Sequence, residues 1–94
     1  MTDREQVQTV VVEGALIKEQ GVTFGIVIVK HGAMEPSVRQ RTLAWASPLF
    51  PGHPVVLMSQ DSSGTPSYFG RTDIVTFLSR LPLSSIPWKR YTLN

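Results

Sequence analysis

The sequence predicts one small α+β domain with the element order β-β-α-β-β-α-β, its two helices packed on an antiparallel or mixed sheet. Three observations predict it. Two β-branched and apolar runs, Val7–Ile17 and Val22–Lys30, are separated by the polar link Lys18-Glu19-Gln20-Gly21. Asp61-Ser62-Ser63-Gly64 is a turn signal between two further short apolar runs. Ile74, Phe77, Leu78 and Leu81 fall at i, i+3, i+4 and i+7, the spacing of one helical face. The 94 residues suit a single domain, and 41% of them are hydrophobic, enough for a core.

Residues 1–5 read as a polar, flexible lead-in, and residues 6–94 as the domain. In the first run Gly14 interrupts the β-branched residues, as a bulge would. Gly21 ends the link where a hairpin turn favours a left-handed residue. The second run is apolar on both faces after Gly25, which predicts a central strand.

Met34–Ser47 admits two readings. Pro36 suits a first helical turn, and Val38, Arg41/Thr42, Trp45 and Leu49 recur at helical spacing. A strand over Arg41–Ala46 is the alternative. Pro48, Pro51 and Pro54 end the element in either case.

Val55–Met58 reads as a strand and Thr65–Phe69 as its return. Pro66, which cannot donate to a ladder, suggests an edge position or a strand start. Gly70 breaks the strand, and Thr72 or Gly70 is the expected cap of the second helix. Asp73 in its first turn and Arg80 at its end both suit the helix dipole. Pro82 stops it. Trp88–Leu93 alternates as a last strand, with Trp88 and Tyr91 on different faces or across a bulge.

This order predicts helices on one face of the sheet. The expected core is Val10, Val12, Phe24, Ile26, Ile28, Val56, Leu57, Ile74, Phe77, Leu78 and Trp45. Phe50, Tyr68 and Trp88 are expected to be exposed aromatics.

Pro54–Leu81 resembles the closing ββα segment of thioredoxin-like proteins. His53-Pro54 takes the place of that family's strand-starting proline, and Tyr68-Phe69-Gly70-Arg71 that of its strand-to-helix corner. The resemblance implies a thioredoxin-like variant as the alternative fold. It covers under a third of the chain. It implies no disulfide exchange, since the chain has no cysteine pair, and the leading hairpin departs from the family's opening βαβ unit.

Composition narrows function. Cys 0 removes disulfides, thiolate catalysis, iron–sulfur clusters and cysteine-ligated zinc. His31 and His53 have no partner at ligand spacing, so no metal and no cofactor is expected. No glycine-rich phosphate-binding motif is present. The N-terminus lacks a signal-type apolar region, and the longest apolar runs are too short to cross a bilayer; a cytoplasmic protein without a membrane partner is expected. Residues 1–35 carry three basic and five acidic groups, and residues 36–94 carry six basic and two acidic.

The leading expectation is a non-enzymatic protein-interaction module, self-association as a homodimer included. Its expected binding residues are Tyr68, Arg71, Asp73, Trp88, Lys89 and Arg90, with the corner Tyr68–Asp73 foremost; no catalytic residue is assigned. One alternative is nucleic-acid binding through the basic C-terminal segment. Another is a ligand-binding or hydrolytic site near His53, Asp61 and Arg71.

Overall fold

The computed structural model describes residues 10–19 and 21–93. The elements are β1 (Val10–Glu19), β2 (Val22–Ile28), α1 (Arg39–Ala46), β3 (Val55–Gln60), β4 (Pro66–Phe69), α2 (Thr72–Ser79) and β5 (Lys89–Leu93). Short 3-10 turns occupy His31–Met34, Ser47–Leu49 and Leu83–Ser85. The predicted order therefore holds, and Met34–Ser47 resolves as a helix preceded by a 3-10 turn. The expected lead-in 1–5, the strand start at Val7 and the side chain of Val10 lie outside the described residues.

The five strands form one mixed sheet in the order β4-β3-β2-β1-β5. β1 and β2 form the expected hairpin, closed by two residues between Glu19 and Val22. Gly21 in that turn has φ 80°, a conformation open to glycine at little cost. β2 and β3 run parallel, with Ile26 level with Val56 and Ile28 with Met58. β4 returns antiparallel to β3, and β5 lies antiparallel to β1.

The helices lie on opposite faces, not on one. Ile74 and Leu78 of α2 pack with Ala15, Phe24, Ile26, Val56, Met58 and Ile86. Ala46 of α1 and Phe50 pack with Val27, Val55 and Leu57 on the other face. The reason is connectivity. Parallel neighbours need a crossover over the sheet, and α1 lies within it. α2 follows an antiparallel return and is free to cover the other face. The middles of β2 and β3 are thereby buried on both sides, which explains the consecutive apolar residues Ile26–Ile28 and Val55–Met58.

Most of the expected core is internal. Phe24, Ile26, Val56, Leu57, Ile74 and Leu78 are buried, while Val12, Ile28 and Phe77 are half-buried against it. Phe77 meets Phe24 edge to face at 6.3 Å between ring centres. Trp45 is a correction: it is 44% exposed. The inward stripe of α1 is Leu43, Ala46 and, beyond the helix, Phe50. The small Ala46 permits close approach to the sheet, and Phe50 fills the space beside it.

Phe50 is the second correction, since it is 5% exposed. Its ring lies on Gly25, where a Cβ would overlap it. Tyr91 meets the same ring edge to face at 5.0 Å. Gly25 is thus the empty site that admits an aromatic from the crossover.

Gly25→Ala should therefore destabilise the domain by ~1–3 kcal/mol, the usual cost of overpacking. In a Phe50→Ala background the same change should cost far less, because the overlap is gone. Chemical denaturation of the four variants reads the coupling. An uncoupled pair would show that Phe50 does not depend on Gly25.

Candidate functional site

The expected binding residues do not share one place: Tyr68 and the pair Lys89 and Arg90 lie on opposite edges of the sheet, and Asp73 lies over the β1–β2 hairpin. Tyr68 belongs to β4 and Lys89 and Arg90 to β5, the two outer strands. Four interstrand spacings separate them, roughly 19 Å. One surface formed by all six residues does not exist.

At the β4 edge, Tyr68 stands opposite Met58 and its ring packs with the α2-side core. The residue is half-buried, and its phenol oxygen is buried without a hydrogen-bond partner. Burial raises its pKa.

Arg71 occupies the N-cap of α2, where neither Gly70 nor Thr72 stands as expected, and no side chain caps the helix. A guanidinium has no acceptor to offer the helix N–H groups, and it turns instead to a side chain two residues on. Arg71 Nε donates to Asp73 Oδ1 at 2.9 Å, and its Nη2 donates to Asp73 Oδ2 at 2.7 Å. Both side chains are exposed, so this fork is partly screened by solvent. It occupies both groups that the sequence assigned to ligand capture at this corner.

At the β5 edge, Trp88 is half-buried on the α2 side, and its Nε1 donates to the Leu83 carbonyl at 3.1 Å. The indole is therefore a packing and pinning group, not a free stacking face. Lys89 and Arg90 are exposed and, as strand neighbours, point to opposite faces. They do not make one basic surface with Trp88 at its centre.

His53, Asp61 and Arg71 do not converge either. His53 precedes β3 and Asp61 follows it, so the strand sets them on the order of 20 Å apart. The Asp61 carboxylate closes its own turn. Its Oδ1 accepts the backbone N–H of Thr65 and of Ser63 and the hydroxyl of Ser63, each at 2.9 Å. These bonds, the Thr65 N–H foremost, lower its pKa; the field of His31 adds a little. The histidine near Asp61 is thus His31, beyond the end of β2.

Two surface depressions lie on the α2 side. One, of about 170 Å³, is lined by Glu19, Val22, Phe24, Asp73, Ile74 and Phe77. The other, of about 380 Å³, is an open groove whose lining includes Glu13, Ile28, Met58, Gln60, Leu83 and Trp88. Among the described residues, no three His, Asp or Glu side chains are placed to hold a metal ion. No described helix is long and apolar enough to cross a membrane.

The feature that sequence reasoning missed is on the outer side of β1. β1 has ten residues, but β5 pairs with Val10–Gly14 alone. The register stops at Gly14 opposite Lys89. Beyond it, Ala15–Glu19 pairs with β2 on one side and, among the described residues, with no strand on the other. Leu16 in this stretch is 45% exposed, and Lys18 and Glu19 are exposed beside it. The sheet edge is therefore stepped: half occupied by β5, half open. The unequal lengths of Val7–Ile17 and Trp88–Leu93 were the available signal, but their pairing was not readable.

Compared with protein-family models, characterised proteins and solved structures, the chain matches none.

The Arg71 guanidinium, hydrogen-bonded to Asp73, holds that carboxyl at about 2, below its ordinary 3.8. A carboxyl lowered on folding stabilises the native state above its unfolded value, and that contribution is lost as pH falls from about 4 towards 2. An NMR titration should place the Asp73 midpoint near 2 in the parent and clearly higher in Arg71→Ala. An unchanged midpoint would show that the fork does not persist in solution.

Proposed function

We propose that this chain is a protein-interaction domain that binds an extended polypeptide segment by strand addition along Ala15–Glu19. The observation that carries the reading is the stepped edge, where β1 continues five residues past the end of β5. Alternate residues of an edge strand direct their N–H and C=O groups outward, where an added strand satisfies them. Each such hydrogen bond contributes a net ~0.5–1.5 kcal/mol, and side chains at alternate positions supply selectivity.

The other edge supports the reading by contrast. β4 has four residues and begins with Pro66, both devices that blunt an edge against pairing. On β1 the open stretch holds no proline, and it exposes Leu16 between Ala15 and Ile17, which both pack into the α2-side core. A core-anchored, extended segment with one free side is a preformed template. The charged Lys18 and Glu19 limit indiscriminate pairing.

Selection of random octapeptides on the immobilised chain tests this. Enriched peptides should be extended and β-prone, and on the ¹⁵N-labelled chain they should perturb the amides of residues 15–19. Leu16→Lys changes an exposed side chain, so it should leave the melting temperature within a few degrees while weakening peptide binding at least tenfold. Peptides that perturb the helices or the α2-side groove and ignore β1 would overturn the proposal.

A further inference from the structure

We infer that the segment completing this edge is the same stretch of a second copy, paired antiparallel about a two-fold axis through Ile17. The inference rests on the strand-addition reading above and adds the identity and register of the partner.

Register follows from pairing rules. Residues directly opposite each other in an antiparallel ladder are of the same hydrogen-bonding type, and that type alternates along each strand. A two-fold axis relating two copies of one strand therefore passes through a residue, never between two. Three residues lie near the middle of the open stretch. An axis at Leu16 would bring the partner's Lys18 against Gly14, whose outer side Lys89 already occupies. An axis at Lys18 would set the two Lys18 side chains directly opposite, which like charge disfavours. It would also set Leu16 opposite position 20, past the end of β1.

The axis at Ile17 has neither fault. It pairs Ala15 with Glu19, Leu16 with Lys18 and Ile17 with its own copy, and uses all five open residues of each chain. Leu16 and Lys18 share the α1 side of β1, so the Lys18 stem covers the exposed Leu16 of the other copy while its ammonium stays in water. The step in the edge also matches itself. The partner's hairpin turns back beyond Glu19, at the level where β5 begins opposite Gly14. An interface of five-residue strands is at the small end of specific contacts, under about 1,200 Å², so the dimer is weak and concentration-dependent.

The chain has no cysteine, so single cysteines report the register without interference. Opposed residues at a two-fold have Cα atoms ~4.5–5.5 Å apart, within disulfide range. Under mild oxidation of the full chain at high concentration, Ile17→Cys should form intermolecular disulfides at least tenfold faster than Ser62→Cys in the remote turn. Sedimentation equilibrium of the unaltered chain should show a monomer–dimer equilibrium that Leu16→Lys shifts to monomer. A strict monomer at millimolar concentration, or Ile17→Cys cross-linking no faster than Ser62→Cys, would overturn self-pairing. If selected peptides still mapped to residues 15–19, strand addition would stand with a different partner. If they did not, both readings would fall.

Discussion

The parallel pairing of β2 with β3 is the constraint on which the rest of this structure depends. Two parallel neighbours cannot be joined by a turn, so residues 29–54 must leave the sheet, cross it and return. That crossing carries α1 and delivers Phe50 onto Gly25 at the centre of β2. It also decides the layering. With one face taken by the crossover, the chain after β4 finds the other face open, and α2 covers it through Ile74 and Leu78. β2 and β3 then become internal strands covered on both faces along most of their length. Ser59 on β3 is the one polar side chain among the described residues that is buried there, 1% exposed, with no protein partner for its hydroxyl.

Much of this was legible in the residues because local rules and tertiary packing agree. The hairpin is written twice, in β-branched composition and in Gly21. The stripe of α2 lies where Ile74 and Leu78 are buried, and Pro66 heads an edge strand as its missing donor requires. The failures have a common physical source. α1 carries Arg39, Gln40 and Arg41 in its first turn and contributes little to the core beyond Leu43 and Ala46. Its inward face was read from its largest residue, Trp45. What faces the sheet is set by how closely the helix must approach, and the small Ala46 satisfies that. Helix placement failed for a related reason: which face a helix covers depends on whether strands run parallel, and hydrophobic period is blind to strand direction.

The expected site was less legible than the fold. Arg71 and Asp73 were singled out as chemistry because each is charged and close to a helix start. The structure joins them to each other, Arg39 to the Phe69 ring at 4.4 Å, and Asp61 to its own turn. Charged groups next to turns and caps are commonly consumed by local geometry. The open edge has the opposite character. It consists of backbone groups along unremarkable residues, Ala15 to Glu19, and it exists because β5 is half as long as β1. No side-chain motif announces it, since the relevant quantity is a difference between two strand lengths.

An open edge on a mixed sheet is an aggregation hazard unless pairing terminates, and the two edges here differ in the way that termination requires. Edge-to-edge growth needs two competent edges on each copy. β4, with four residues and a leading proline, does not offer a second one. The proposed pairing would use the open stretch of β1 on both chains, and the edge then left on the outer side of β5 has only five residues and begins with the charged Lys89 and Arg90, which discourage further pairing. An isologous contact of that kind is closed, because the same patch serves on both subunits and nothing equivalent is left over. The stepped outline adds a second stop. β5 bounds the open stretch at Gly14 and the chain's own hairpin turn ends it after Glu19, so the ladder that an added strand can form is limited to five residues. In the proposed pairing, shortness would make the contact weak, and the same shortness would make it finite. A long, flat, fully open β1 would bind more tightly, at the cost of any limit on what or how much it binds.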